Sequence, residues 1–67
     1  MSIKPGIYLH YKGKRYEVLD TALHTETEEI MVLYRREGEE VLFVRPLGMF
    51  TEDVTPGVPR FHLVNAE

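Results

Sequence analysis

Arg45 is the residue of this chain best placed for recognition chemistry. It ends the alternating run Val41-Leu42-Phe43-Val44-Arg45 and immediately precedes Pro46. Proline has no backbone N–H and holds the preceding residue extended, so strand pairing should stop near Pro46 with the Arg45 guanidinium at a strand end, in reach of a neighbouring surface. There it suits paired hydrogen bonds to a carboxylate or phosphate, and equally an ion pair that only organises a loop. His24 and Glu26 would share one side of an extended segment, and with His10 they offer the imidazole and carboxylate that zinc and other divalent ions accept. No recognised ligand spacing accompanies them, and a surface hydrogen-bond pair accounts for them as well. His24 beside Glu26 also has groups for proton exchange near neutral pH, with Arg45 available to stabilise an anion. Covalent catalysis lacks a nucleophile, since cysteine is absent and Ser2, the single serine, stands at the chain's start. No cofactor or resident metal is expected.

Binding is easier to derive. Small β domains recognise partners through shallow grooves between loops, with aromatic faces and a few charged anchors. Tyr8, His10, Tyr34, Phe43 and Arg45 are the candidates for such a groove, with His24 and Glu26 as further candidates. Tyr8 and His10 alternate with Ile7 and Leu9, and Phe43 and Arg45 alternate with Leu42 and Val44. If the aliphatic sets face the core, Phe43 and Arg45 face outwards together. The competing reading puts Phe43 in the core with Tyr11, Tyr16, Phe50 and Phe61, because so small a domain needs its rings inside.

The elements that must position these residues read as short strands. Ile7, Leu9 and Tyr11 alternate with polar neighbours up to Gly13, and Lys12-Gly13 reads as a two-residue hairpin loop. A second strand runs from about Lys14 to Leu23, with Leu19 out of phase, which predicts a bulge or bend near Leu19-Asp20-Thr21. His24 to Glu29 reads as a polar loop. Ile30-Met31-Val32-Leu33-Tyr34 is a continuous apolar run, as expected of a central strand covered on both faces. Arg36 to Glu40 turns the chain, Val41 to Arg45 pairs back, Leu47 to Phe50 makes a short turn, and Thr51 to Val54 offers a brief strand. Pro56-Gly57-Val58-Pro59 forbids a helix, and Arg60 to Val64 reads as a terminal strand. The expected fold is all-β: a small SH3-like barrel of about five short strands with a short turn after Pro46, closed by Leu42, Val44, Leu47, Met49 and Phe50.

Size limits what such a domain can do. A chain of 67 residues buries only about 60% of its unfolded surface, which leaves little room for an enclosed active site. Without cysteine there are no disulfides or thiolate metal sites, in keeping with a reducing compartment. No apolar run is long enough to span a membrane and no leader pattern is seen, so a cytoplasmic location is expected. The net charge is −3. Lys12, Lys14 and Arg15 cluster near one turn, but Glu26, Glu28 and Glu29, and then Glu37, Glu39 and Glu40, make two other loops acidic, which disfavours a nucleic-acid stripe. A non-catalytic protein- or peptide-binding adaptor module, with self-association open to it, is therefore the expected function. The alternative is a weak RNA-associated module, with Lys12, Lys14, Arg15, Arg35 and Arg36 on phosphate and Tyr8 or Tyr34 on a base. A small metal-dependent or acid–base enzyme stands further off.

Longer motifs carry a resemblance. Pro5-Gly6-x-Tyr8-x-His10-Tyr11-Lys12-Gly13-x-x-Tyr16-x-Val18, Ala22-x-His24-x-Glu26-Thr27-x-Glu29, Val32-x-Tyr34-Arg35, Val44-Arg45-Pro46-x-x-Met49-Phe50 and Pro59-Arg60-Phe61 together span nearly the whole chain. This combination resembles the small bacterial domain-of-unknown-function family 1653, whose members commonly carry tryptophan where Phe43 stands. The resemblance implies a compact, mostly β bacterial domain, found alone or attached to others, and no established activity.

Overall fold

A computed structural model describes residues 3–66. Among them the backbone forms strands β1 (Gly6–His10), β2 (Arg15–Leu23), β3 (Ile30–Arg36), β4 (Phe43–Pro46), β5 (Asp53–Thr55), β6 (Val58–Pro59) and β7 (Phe61–Ala66), with one helix, α1 (Leu47–Thr51). Strands β1 to β4 follow one another as an antiparallel meander, and β7 returns to the free side of β1. The resulting five-stranded sheet has the order β4-β3-β2-β1-β7, and β5 and β6 form a separate two-stranded ribbon. The all-β class therefore stands. No closed barrel is found: β4 and β7 remain the edges of the sheet among the described residues. No helix there is long and apolar enough to cross a membrane.

Local chemistry explains most boundaries. The first hairpin closes with the Gly13 N–H donating to the His10 carbonyl at 2.7 Å and the His10 N–H donating to the Lys14 carbonyl at 2.8 Å. The loop is thus Tyr11 to Gly13, one residue longer than the expected Lys12-Gly13 pair. Gly13 closes it at φ 99°, a conformation that glycine adopts without steric penalty. The expected irregularity in β2 is present: Val18 lies opposite Tyr34 and Asp20 opposite Leu33, leaving Leu19 as the extra residue. That bulge keeps Val18 and Thr21 on the same face of the sheet. After Pro46 the chain makes one helical turn, not the expected short turn. No side chain caps its start, but the Thr51 hydroxyl donates to the Leu47 carbonyl at 2.9 Å and Phe50 anchors the turn in the core.

The register decides which residues the core receives. Tyr8 faces Tyr16, Val18 faces Tyr34, Tyr34 faces Phe43, Val32 faces Arg45, and His10 faces Phe61. These residues line one face, over which Phe50 of α1 is laid. The Phe50 ring stacks on Phe61 at 4.0 Å and meets Tyr8 and Tyr34 edge-on at 5.6 and 5.2 Å. The core consists of Tyr8, Val18, Val32, Tyr34, Phe50 and Phe61, with Ile3, Tyr16, Phe43 and Leu47 packed against it.

Several expectations are corrected here. Leu42 and Val44, expected to close the core, are 52% and 60% exposed, and of the two readings left open for Phe43 the packed one holds, with Arg45 on the same face. Met49 and Tyr11 are also largely exposed. Because the side-chain period of a strand is two, one choice of face moves the whole set, and the space beneath a single helical turn is filled by rings where valine or leucine would leave gaps. The central strand β3 is covered on one face only: Val32 and Tyr34 are buried, Met31 and Leu33 are half-buried, and Ile30 is exposed. A chain this short has no material for a second covering layer.

Candidate functional site

The inward turn of β4 gives Arg45 its surroundings. Its side chain lies half-buried beside the Tyr34–Phe43 pair, and its Nε donates to the Tyr34 hydroxyl at 3.4 Å. Ion pairs elsewhere join Arg15 to Glu37 at 2.9 Å, Arg35 to Glu17 at 2.9 Å and Arg60 to Glu52 at 3.2 Å. Arg35, Arg45 and Arg60 are all half-buried, yet Arg45 has no carboxylate partner among the described residues. A guanidinium drawn part-way out of water without a counter-charge is an arrangement that folding alone disfavours.

His10 lies at the end of β1, its ring edge-on to Phe61 at 4.9 Å and tilted against Tyr16 at 6.0 Å. Burial, and then the positive charges of Arg60, Lys12 and Arg45, hold its pKa below the ordinary histidine range. The neutral ring accepts a hydrogen bond at Nδ1 from the Lys12 N–H at 3.1 Å, which assigns the remaining proton to Nε2 and makes that atom a donor. Tyr34 joins the two halves of the site, since its ring meets Tyr16 at 5.7 Å, Phe43 at 5.6 Å and Phe61 at 5.8 Å while its hydroxyl meets Arg45.

Arg60 belongs to the same corner and was not among the candidates. Its backbone N–H donates to the Glu52 carbonyl at 3.1 Å, and its Nη2 donates to Glu52 Oε1 at 3.2 Å. Its Nε is buried with no hydrogen-bond partner among the described residues. A signal for it existed in the sequence: Pro59-Arg60, like Arg45-Pro46, sets an arginine beside a proline at a strand end.

The remaining candidates divide. Tyr8 is core, its hydroxyl donating to the Lys4 carbonyl at 2.7 Å and its pKa raised by burial. Phe43 is half-buried and packs its ring on Tyr34, on the site's own face. His24 and Glu26 lie in the β2–β3 loop, where His24 Nδ1 accepts the backbone N–H groups of Glu26 at 3.3 Å and Thr27 at 3.4 Å. Glu26 contributes its backbone to that turn, and no contact joins the pair to His10 or Arg45. Among the described residues no three His, Cys, Asp or Glu side chains gather as metal ligands. A shallow depression of about 300 Å³ lies elsewhere, between the β1–β2 and β3–β4 turns, and contains none of the candidate residues. The corner formed by His10, Tyr34, Arg45 and Arg60 is rich in donors on an aromatic wall, a chemistry that holds an anionic group.

Comparison with known proteins agrees with this fold. No curated protein matches the chain. A crystal structure of a DUF1653 protein from Bordetella bronchiseptica is similar, with 35% sequence identity over 97% of this chain and 91% of that chain and a TM-score of 0.82. Residues 6–63 match the family described as protein of unknown function (DUF1653), and the chain belongs to that family.

Proposed function

We propose that the chain is a non-catalytic protein- or peptide-binding module that uses the Arg45 corner as its anchor. The observation that carries this reading is Arg45 itself: half-buried, bonded to a tyrosine hydroxyl and, among the described residues, without the carboxylate that Arg35 and Arg60 each possess. An arginine beside tyrosine and phenylalanine rings is the composition of binding hot spots. We read the architecture as an SH3-like, partly open barrel, a reading supported by the meander whose last strand returns to β1 after a short helix. The cysteine-free composition fits a cytoplasmic setting. Self-association is a further option for the exposed edge strands.

Affinity capture with the folded chain as bait tests the proposal. Arg45→Ala should abolish capture of a specific protein while leaving the melting temperature within a few degrees. A large loss of melting temperature would instead assign Arg45 to the fold. An RNA-associated role draws its support from Lys12 over the exposed Tyr11 ring at 5.8 Å, near His10 and Arg60. Salt separates the two readings: binding to generic RNA that collapses steeply as salt rises favours the second, whereas salt-tolerant capture of one protein excludes it.

A further inference from the structure

Charge balance at the corner narrows what it can hold. Arg60 is offset by Glu52 at 3.2 Å, so that pair adds no net charge. His10 is neutral at pH 7, with its proton on Nε2. Lys12 is exposed and lies over the Tyr11 ring. Lys12 keeps its charge but holds it in water; among the described residues the one half-buried positive charge of the corner without a carboxylate partner is that of Arg45. Its Nε is engaged with the Tyr34 hydroxyl, which leaves both Nη groups, a planar pair of donors, available in one direction. Because the Tyr34 oxygen accepts from Arg45, its own proton is free to be donated onward. A dianion such as phosphate would leave one negative charge unmatched beside half-buried aromatic rings, which is costly. A monoanion would not, and the fork of a guanidinium matches the two oxygens of a carboxylate.

Resting on the binding-module reading above, we propose that this corner takes one carboxylate from a peptide partner, bound by the Arg45 Nη pair and the Tyr34 hydroxyl, with His10 Nε2 as a neighbouring donor. The carboxylate comes from an acidic side chain or from a chain terminus. Both present the same group, and the peptides used as probes tell them apart.

The test follows the Arg45 Nε–H, Tyr34 and His10 resonances of the full isotope-labelled chain at pH 7 and constant ionic strength. Probes are sodium acetate, inorganic phosphate, a neutral peptide with a free C-terminus, an amidated peptide with one internal glutamate, and its glutamine counterpart. Acetate should shift the three resonances saturably, phosphate should bind no more tightly than acetate, and one of the two carboxylate peptides should outbind the glutamine peptide. Arg45→Gln should weaken acetate and the preferred peptide by about tenfold or more, the usual worth of a charge-assisted pair. Arg45→Lys, which keeps the charge but not the fork, should lose part of that affinity and serves as the comparison should Arg45→Gln fail to fold.

The inference is overturned if phosphate binds tenfold more tightly than acetate, if the glutamine peptide binds as well as the glutamate and free-terminus peptides, or if acetate leaves the corner unmoved. Should acetate and both acidic peptides fail while Arg45-dependent capture of a protein persists, the binding module survives and the carboxylate does not. If neither is seen, both readings fall.

Discussion

Replacing Phe50 with alanine tests the central packing claim. Phe50 is fully buried, stacks on Phe61 at 4.0 Å with the rings 3° from parallel, and meets Tyr8 and Tyr34 edge-on. A phenylalanine side chain withdraws about 150–250 Å² from water, which at roughly 25 cal/mol per Å² gives an upper bound of about 4–6 kcal/mol. Buried Phe→Ala changes cost about 3–5 kcal/mol, the same order. A domain of 67 residues at roughly 0.05–0.15 kcal/mol per residue has only about 3–10 kcal/mol in total. Phe50→Ala should therefore remove a large share of the stability. At about 4–8 °C per kcal/mol for a domain this small, the melting temperature should fall by at least about 12 °C. Thermal and urea unfolding followed by circular dichroism measure this directly. Met49→Ala, at the neighbouring and largely exposed position of the same helix, should cost less than about 1 kcal/mol and controls for helix propensity. Near-equal losses at the two positions would refute the claim that Phe50, with Leu47 packed beside the core, is the main anchor of α1.

Three further outcomes follow from particular residues. Gly13→Ala meets no neighbour within 4 Å but must hold φ near 99°, so it should destabilise the fold by about 1–2 kcal/mol through backbone strain alone, read as a shifted urea midpoint with unchanged slope. Val44→Thr, on the exposed face of β4, should change stability by under about 0.5 kcal/mol, whereas a loss typical of a core site would mean that Val44 is covered in solution. His10 should titrate below the ordinary value of about 6.5 in a proton NMR titration. A histidine whose folded pKa is depressed binds its proton less readily when folded, so its contribution is present above about pH 6.5 and is lost as the pH falls towards the lowered pKa. His10→Gln should flatten that part of the stability profile, and an unchanged profile would show that His10 is not its source.

The strand content, the bulge at Leu19, the glycine at the first turn and the stop at Pro46 were all legible in the sequence, because each depends on one or two residues and their neighbours. Resemblance to a family was legible for a related reason: it rests on which residues stand at which spacing. What alternation could not reveal was the face. Tyr8, His10, Phe43 and Arg45 alternate with Ile7, Leu9, Leu42 and Val44 equally well whichever set is buried. The rings went inside because the cover is a single helical turn carrying Phe50, and five strands had to be filled beneath it. That choice decided between the two readings of Phe43 in favour of packing and brought Arg45 to the Tyr34 hydroxyl.

The candidate site divided along the same line. His24 and Glu26 are close in sequence and form only a local turn, since short-range hydrogen bonds satisfy them where they stand. Arg45 and Arg60 are far apart in sequence: the return of β7 to β1 brings Arg60 to His10, whereas Arg45 acts on the same ring from β4, at the other edge of the sheet. Residue types and local spacing determined which chemistry this protein has available. Only the tertiary structure decided which half-buried arginine would lack a carboxylate among the described residues, because the pairing of half-buried charges depends on what long-range packing leaves beside them.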